Sequence, residues 1–150
     1  MNDEPFVPDD FVAPRSLVAD DFVLEPLGPQ HNESDHAAWT SSIEHIRATP
    51  GFQGSWPPVE GMSLEDNLGD LTRHAQDFEA RTGFTFTVLD PESGEVIGCL
   101  YLYPGKDGAE VSVSSWVSAD HAELDEPLAD AVREWLAADW PWQVLDRRGR

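Results

Sequence analysis

Apolar residues recur at helical spacing over one long stretch in the middle of the chain. They follow one another at intervals of four and three residues: Leu64, Leu68, Leu71, Ala75 and Phe78. Ser63 stands just before this stripe as a candidate N-cap, and Asp66, three residues later, completes a weak capping box. The pattern predicts a helix that begins after Ser63, ends near Arg81 and buries the apolar stripe.

Two further segments carry apolar residues at helical spacing. Residues 34–48 form the first, and Pro50 stops it. Residues 125–139 form the second, in which Pro127 is tolerated because it falls in the first turn. The apolar face of this second segment consists of Leu128, Ala131, Val132, Trp135 and Leu136. The chain therefore contains three predicted helices.

Apolar and β-branched runs bounded by turn residues predict the strands. They cover residues 22–27, 84–89, 95–103, 109–117 and 140–145. The turn between the second and third run holds Asp90, Pro91 and Gly94, which favours an antiparallel hairpin. The order of elements predicts an α+β or α/β fold with a mixed central sheet, and we expect the three-layer α+β form in which helices flank a mostly antiparallel twisted sheet.

The first 15 residues differ in composition from the rest of the chain. They hold three prolines and four carboxylates, which favours an extended acidic arm, and their phenylalanines and valines provide a surface for docking. Residues 16–150 show no internal repeat and have a length suited to a single domain. We expect a homodimer, or the arm folded across an apolar face near Trp140 and Trp142, because exposed tryptophans favour burial.

The charge balance narrows the range of partners. Nine Lys and Arg against 29 Asp and Glu give a formal net charge of −20, which disfavours binding to nucleic-acid phosphates and to anionic membranes. No apolar run reaches the roughly 18 residues that a membrane helix needs, and the acidic start of the chain is unlike a signal peptide. The single cysteine, Cys99, has no partner for an internal disulfide. We therefore expect a cytoplasmic protein without nucleic-acid or membrane partners.

Three segments carry a resemblance to a known family. They are residues 83–89 (Gly-Phe-Thr-Phe-Thr-Val-Leu), residues 96–101 (Val-Ile-Gly-Cys-Leu-Tyr) and the strand that ends in Ser115-Trp116-Val117 before a long helix. In these motifs and in the order of its elements the chain resembles the GNAT (GCN5-related) N-acetyltransferase superfamily. It is similar to a shortened, bacterial acetyltransferase-like member that lacks the usual C-terminal strands. The resemblance implies that acetyl-CoA is the co-substrate and that the acceptor is a small-molecule or peptide amine. It also implies that the main chain of residues on one strand binds the pantetheine arm: Ser115, Trp116, Val117 and Ser118.

Residues 118–128 depart from the superfamily's cofactor signature, in which glycines at a helix N-terminus let main-chain amides bind the pyrophosphate. This segment has no glycine and no arginine, and it carries four carboxylates: Asp120, Glu123, Asp125 and Glu126. These carboxylates repel a phosphate, and Pro127 lacks an amide donor. The sequence thus predicts that acetyl-CoA binds weakly.

Candidate site residues lie on two predicted strands and in one loop. The resemblance implies a catalytic base at Glu110. Tyr103 and Tyr101 are candidates for donating a hydrogen bond to the thioester or thiolate. The residue types alone equally suit a solvated glutamate and tyrosines that pack on the sheet with a wet hydroxyl. In the loop, Phe52 and Trp56 are candidates for an acceptor pocket, and the alternative is that they plug one end of the core.

The histidines, the cysteine and the carboxylates near the first helix predict no metal site. Four residues at the start of this helix match no zinc spacing, so a solvated helix start is the better interpretation. They are His31, Glu33, Asp35 and His36. His74 stands off the apolar stripe beside Asp70 and Asp77, which predicts a surface ion pair. Cys99 lies in an apolar strand, where it fills the core as a small hydrophobe.

Two functions stay open on the sequence alone. The first is an N-acetyltransferase, whose acidic surface suits a cationic amine. The second is a catalytically inactive protein that keeps the fold as an acidic binding or oligomerisation module. The retained strand pattern favours the first function, and the acidic segment 118–128 favours the second. Both stay open because fold alone does not determine function.

Overall fold

Six strands form one sheet in the computed structural model, which describes residues 5–52, 56–105, 108–143 and 145–146. The strands are β1 (Leu17–Val18), β2 (Val23–Pro26), β3 (Phe84–Leu89), β4 (Val96–Pro104), β5 (Val111–Val117) and β6 (Leu145–Asp146). Their order in the sheet follows their order in the chain. Neighbouring strands run antiparallel, except that β6 runs parallel to β5. The predicted α+β fold with a mixed, mostly antiparallel sheet is confirmed.

Within the described residues, four stretches form α-helices on the two faces of this sheet. They are α1 (Asn32–Thr40), α2 (Ile43–Arg47), α3 (Leu64–Ala80) and α4 (Asp125–Asp139). Short 3-10 segments, Pro29–His31 and Ala119–Leu124, precede α1 and α4. None of the helices that the structure describes is long and apolar enough to cross a membrane.

The single helix predicted over residues 34–48 is wrong, because the chain breaks between α1 and α2. The hydroxyls of Thr40 and Ser41 donate to carbonyls one turn earlier, at 2.6 and 3.1 Å. Hydroxyls that bond to preceding carbonyls compete with the helical backbone and favour such a break. The break places the buried Ser42 where its hydroxyl oxygen accepts the amide of Ala119 at 2.9 Å.

Helix α3 has the predicted bounds but not the predicted buried face. Ser63 accepts the amide of Asp66 at 3.1 Å, as expected of an N-cap. Leu64 and Leu68 are 45% and 40% exposed, so the predicted stripe is wrong in its first two members. The face that α3 buries instead contains Asn67, Leu71 and Phe78.

A β-bulge in β4 sets which side chains face α1 and α3. Strands β3 and β4 form the predicted hairpin, but Leu89 lies opposite Val96 while Val88 lies opposite Gly98. Ile97 is therefore the extra residue, and it reverses the alternation of faces at this point. From there on, the side chains at positions 99, 101 and 103 lie on the face covered by α1 and α3.

Each face of the sheet has its own hydrophobic core. The core under α4 and the N-terminal arm includes Phe84, Phe86, Leu100, Leu102, Leu128, Trp135 and Leu136. The core under α1, α2 and α3 includes Trp39, Ile46, Phe52, Leu71, Cys99 and Trp116. Cys99 is fully buried, as predicted for a small core residue, and burial raises the pKa of its thiol.

The N-terminal arm packs across the tryptophans that follow α4. The ring of Phe6 stacks on Trp142 with centroids 4.8 Å apart, and the Phe6 carbonyl accepts Trp142 Nε1–H at 3.0 Å. Arg81 donates to the carbonyls of Pro8 and Phe11 at 2.6 and 2.8 Å. One of the two arrangements expected for this surface is thus present, and the homodimer stays a prediction. Residues 1–4 of the predicted arm lie outside the described residues.

The strand predicted over residues 140–145 coincides with β6 only at Leu145, and Val144 lies outside the described residues. Trp140 and Trp142 are both 6% exposed and belong to the core beneath the arm. Pro141 between them has no amide to donate to a ladder. Packing of the two tryptophan rings in the core, and not pairing with a strand, holds residues 140–142 in place.

Candidate functional site

A cavity of about 210 Å³ lies between the sheet and helices α1 and α3. Its apolar lining consists of Leu27, Phe52, Trp56, Leu71 and Tyr101, and its polar lining of Asp35, Asn67, Asp70, Arg73, His74 and Ser114. Phe52 and Trp56, the two residues proposed for an acceptor pocket, are both present. Because Ser114 belongs to β5, the cavity extends to that strand.

Aromatic neighbours hold Trp56 in the lining. Its ring centroid lies 5.2 Å from that of Trp39 and 6.0 Å from that of Trp116, and both of these tryptophans are fully buried. Phe52 contacts Trp56 and Tyr101, with centroids 6.1 and 5.9 Å apart. Trp56 itself is partly exposed. The loop therefore both packs against the core and contributes to the cavity.

Asp35 is a buried carboxyl group in the cavity, with only 4% of its surface exposed. Asn67 of α3 donates to Asp35 Oδ2 at 3.1 Å and to Asn32 Oδ1 at 2.9 Å, and its own oxygen accepts Trp39 Nε1–H at 3.0 Å. These three bonds fix the orientation of the Asn67 amide. Burial raises the pKa of Asp35 to about 6, because desolvation disfavours the charged form.

His74 extends from α3 to the sheet. Its Nδ1 lies 2.8 Å from the Tyr103 hydroxyl oxygen and 3.1 Å from the Thr85 hydroxyl oxygen. Tyr103 in turn donates to Asp77 Oδ2 at 3.0 Å. Burial, followed by the positive charge of Arg73, lowers the pKa of His74. His74 is therefore a neutral, hydrogen-bonded imidazole at pH 7, and not the surface ion-pair partner that its spacing predicts.

The two tyrosines of β4 have different environments. Tyr103 does not line the cavity, and burial raises its pKa to about 12. Tyr101 does line the cavity, and its hydroxyl oxygen accepts Trp116 Nε1–H at 3.0 Å. Burial raises the pKa of Tyr101 well above its usual range, so its hydroxyl stays protonated. Of the two, Tyr101 is therefore the tyrosine whose side chain lines the cavity.

The outer edge of β5 presents main-chain groups that point away from β4. The amide of Ser118 donates to a β4 carbonyl at 2.9 Å, and alternation along an antiparallel strand gives the amide of Trp116 the same direction. Ser115 and Val117 consequently direct their amides and carbonyls to the opposite side. Within the described residues, β6 pairs there only with the first two residues of β5. Two of the four residues proposed to bind a pantetheine arm thus present their main chain at this edge.

Amides in the segment that follows β5 are engaged within the protein. The amide of Ala119 donates to Ser42 Oγ at 2.9 Å, and those of His121 and Asp125 donate to carbonyls three residues earlier. The side chains of Asp120, Glu123 and Glu126 are exposed. At least three amides of this segment are therefore unavailable to an anion, and its exposed side chains are negatively charged.

Other candidates from the sequence lie outside the cavity. Glu110 is exposed at the start of β5, and its carboxylate accepts the amide of Gln143 at 2.7 Å. His31 is buried rather than solvated, because its Nδ1 accepts the amide of Gly28 at 3.0 Å and its Nε2 lies 2.8 Å from Glu25. In the part of the chain that the structure describes, no three His, Cys, Asp or Glu side chains are placed to hold a metal ion.

Sequence reasoning did not identify Asp35, Asn67 and His74 as members of one site. A signal was present on α3, where Asn67, Leu71 and His74 follow one another at intervals of four and three residues. This spacing places them on one helical face. The larger apolar side chains of Leu64 and Leu68 indicated a neighbouring face instead.

Comparison by sequence finds no protein-family model and no curated protein that matches the chain. Comparison by structure finds the ribosomal-protein-S5-alanine acetyltransferase from Vibrio fischeri, with a TM-score of 0.64 and 9% identity over 82% of this chain and 67% of the other. It also finds a GCN5-related N-acetyltransferase from Brucella melitensis, with a TM-score of 0.61 and 17% identity over 89% and 60% of the two chains. A third similar structure is the ribosomal L7/L12 alpha-N-protein acetyltransferase RimL in complex with coenzyme A, with a TM-score of 0.61 and 10% identity over 81% and 66%.

These likenesses concern the fold, because the sequence identities are low. The chain has the fold of the GNAT acetyltransferases, in agreement with the resemblance of its motifs and element order. It spans 60% to 67% of the length of these three structures.

Proposed function

We propose that this chain is an N-acetyltransferase that transfers the acetyl group of acetyl-CoA to an amine held in the cavity. The observation that carries the proposal is the position of the cavity against β5. Ser114 lines the cavity, and the next residue, Ser115, directs its main chain to the outer edge of the strand. A donor bound along that edge places its thioester next to the cavity, and proximity of the two reactants is a large part of such catalysis.

The outer edge of β5 fits the pantetheine arm of the co-substrate better than the following segment fits its phosphates. The arm contains amide groups, and Ser115 and Val117 direct main-chain donors and acceptors to the outer edge of β5, where no described strand lies opposite them. Residues 118–128 offer engaged amides and exposed carboxylates. Weak binding of acetyl-CoA, carried mainly by its pantetheine arm, follows from this difference.

The cavity suits a primary ammonium group on a short apolar chain. The buried carboxyl group of Asp35 attracts a cation with little screening by water, and the lining also contains the aromatic rings of Trp56 and Tyr101, a residue type that favours cations. The net charge of −20 favours the approach of cationic molecules. A small-molecule amine or the end of a flexible peptide matches a volume of about 210 Å³.

Of the two tyrosines that the sequence suggests as hydrogen-bond donors, we assign the role to Tyr101, because it lines the cavity and Tyr103 does not. The Tyr101 hydroxyl stays protonated, so it keeps the proton that a hydrogen bond to the oxygen or the sulfur of the thioester requires. Glu110 lies at the hairpin end of β5 and accepts a main-chain amide. We therefore do not assign the base role to Glu110.

Release of free coenzyme A thiol from acetyl-CoA on addition of amines tests this proposal. We expect release with a cationic primary alkylamine and none with the alcohol of the same length. Asp35→Asn should raise the KM for the amine, whereas Glu33→Gln, on the exposed side of the same helix, should not. A folded wild-type protein that releases no thiol with any amine would contradict the proposal and favour the inactive binding module.

A further inference from the structure

We propose that His74 is the base that accepts a proton from the amine, and that Tyr103 and Asp77 position its ring. The inference deepens the proposed function and rests on it. The hydrogen bonds around the ring determine which of the two imidazole nitrogens carries the proton.

The proton of the His74 ring is on Nδ1. The carboxylate of Asp77 can only accept hydrogen bonds, so the Tyr103 hydroxyl donates its single proton to Asp77 Oδ2, 3.0 Å away. The Tyr103 oxygen, 2.8 Å from His74 Nδ1, must then accept a hydrogen bond from that nitrogen. Nδ1 of the neutral ring is therefore protonated, and Nε2 holds the free lone pair.

Nε2 is the nitrogen of His74 that is available to a molecule in the cavity. Nδ1 points to Tyr103 and Thr85 of the sheet, at 2.8 and 3.1 Å, and Nε2 lies at the far side of the ring. No hydrogen bond to Nε2 is formed by the residues that the structure describes, although His74 lines the cavity. The free lone pair is thus on the ring nitrogen that points away from the sheet, in a residue that lines the cavity.

Tyr103 is fixed by the shape of the sheet as well as by its hydrogen bonds. Gly83, just before β3, leaves the space that the Tyr103 ring occupies, and a Cβ at that position would clash with the ring. The ring of His74 contacts those of Tyr101 and Tyr103, with centroids 5.8 and 6.1 Å apart. These contacts hold the imidazole in one orientation at the side of the cavity.

In the proposed acetyl transfer, His74 takes up one proton from the substrate. The substrate ammonium loses a proton to Nε2 and becomes an amine, whose nitrogen lone pair attacks the thioester carbonyl carbon. A nitrogen–carbon bond forms and the carbon–sulfur bond breaks, with the electron pair leaving on the sulfur. The second proton lost from nitrogen goes to this thiolate, and His74 returns its own proton to solvent.

Charged and titratable groups surround His74 on every element packed against it. Arg73, Asp70 and Asp77 belong to its own helix, Tyr101 and Tyr103 belong to β4, and Asp35 of α1 lines the same cavity. Burial and Arg73 lower the pKa of His74, while Asp77 and Asp70 oppose this effect. Removal of the Asp77 charge should consequently lower the pKa further.

The protonation state of His74 can be measured without any substrate. Imidazole ¹⁵N chemical shifts of the wild-type protein at pH 7 should show a proton on Nδ1 and a free lone pair on Nε2. A proton on Nε2 instead would overturn the inference, whatever the protein's activity. Because this measurement needs no acetyl-CoA, a result that overturns the inference can be told apart from a failure of the proposed function.

Kinetics of three variants complete the test. With wild-type acetyl transfer established, His74→Gln should lower kcat about 100-fold or more, with little change in the amine KM. Asp77→Asn should keep measurable activity but move the acidic limb of the pH profile of kcat/KM to lower pH, which a merely structural role would not do. Glu110→Gln, the matched control, should leave kcat within about twofold of wild type. Full kcat in His74→Gln would overturn the base role and leave the proposed function intact, whereas an inactive wild type would overturn both.

Discussion

Asn67 donates a hydrogen bond of 3.1 Å to Asp35 across the interface between α3 and α1. The bond keeps a carboxyl group in a place where only 4% of the residue's surface meets water. Binding of a cation at this carboxyl group would compensate for its burial, which a folded protein without substrate must tolerate. The buried Asp35, held by Asn67, should therefore lower the stability of the free protein while it favours the binding of a cation.

Asp35→Asn should stabilise the fold and weaken amine binding. The folded-state pKa of Asp35 is raised from 3.8 to about 6, so its burial costs increasingly more stability as pH rises through this range, and the full cost is present above it. Removal of the charge should increase the free energy of unfolding at pH 7 by about 3 kcal/mol, and the gain should fade as pH falls from 6 to 4.

Urea unfolding at pH 7 and pH 4 checks this expectation. Glu33→Gln, an exposed change on the same helix, should alter stability by less than about 0.5 kcal/mol at both pH values. A loss of stability in Asp35→Asn at pH 7 would mean that the charged carboxylate makes a net favourable contact.

The acidic segment after β5 should limit the affinity for acetyl-CoA. Titration calorimetry should give similar affinities for acetyl-CoA and acetyl-pantetheine, because the phosphates add little. The double change Glu123→Arg and Glu126→Arg should strengthen acetyl-CoA binding roughly tenfold at low salt and leave acetyl-pantetheine binding unchanged.

The matched control for this charge reversal is Glu134→Arg. Glu134 is exposed on α4, eight residues beyond Glu126 and thus about 12 Å along the helix, so its reversal should strengthen acetyl-CoA binding less than the double change does at low salt and should have no effect at physiological salt. Micromolar wild-type affinity for acetyl-CoA, well above that for acetyl-pantetheine, would contradict our interpretation of the segment.

The N-terminal arm should contribute to the stability of the fold. The Phe6 ring stacks on Trp142, so Phe6→Ala should lower the free energy of unfolding by about 2–4 kcal/mol and shift tryptophan fluorescence to longer wavelength. Val12→Ala in the same arm should change little, since Val12 is 85% exposed. Equal stabilities of the two variants would show that the arm does not hold the core together.

The sequence predicted the elements of the fold better than the faces they bury. Turn residues such as Asp90 and Gly94 are local signals, and the hairpin that they predict is present. Which face of α3 is buried depends on the orientation of the whole helix against the sheet. The spacing of Leu64 and Leu68 cannot report that orientation, because both leucines are exposed in the folded chain.

The candidate site was harder to predict because its members are distant in sequence. Phe52 and Trp56 were candidates from the composition of their loop and from the family resemblance, and both line the cavity. His74 is recognisable only through Tyr103, 29 positions further on, whose hydroxyl faces Nδ1. Such a contact depends on strand register and on the β-bulge near Ile97, neither of which a single sequence specifies.

The most direct test of our central claim, that an acetyl donor binds along the outer edge of β5 beside the cavity, is an amide NMR titration with acetyl-pantetheine. We predict that the amide signals of Ser115 and Val117 shift and that their exchange with solvent slows. The amides of Ser114 and Trp116, which point to β4, serve as internal controls and should change much less. Shifts confined to other parts of the chain, with Ser115 and Val117 unchanged at saturating ligand, would contradict the claim.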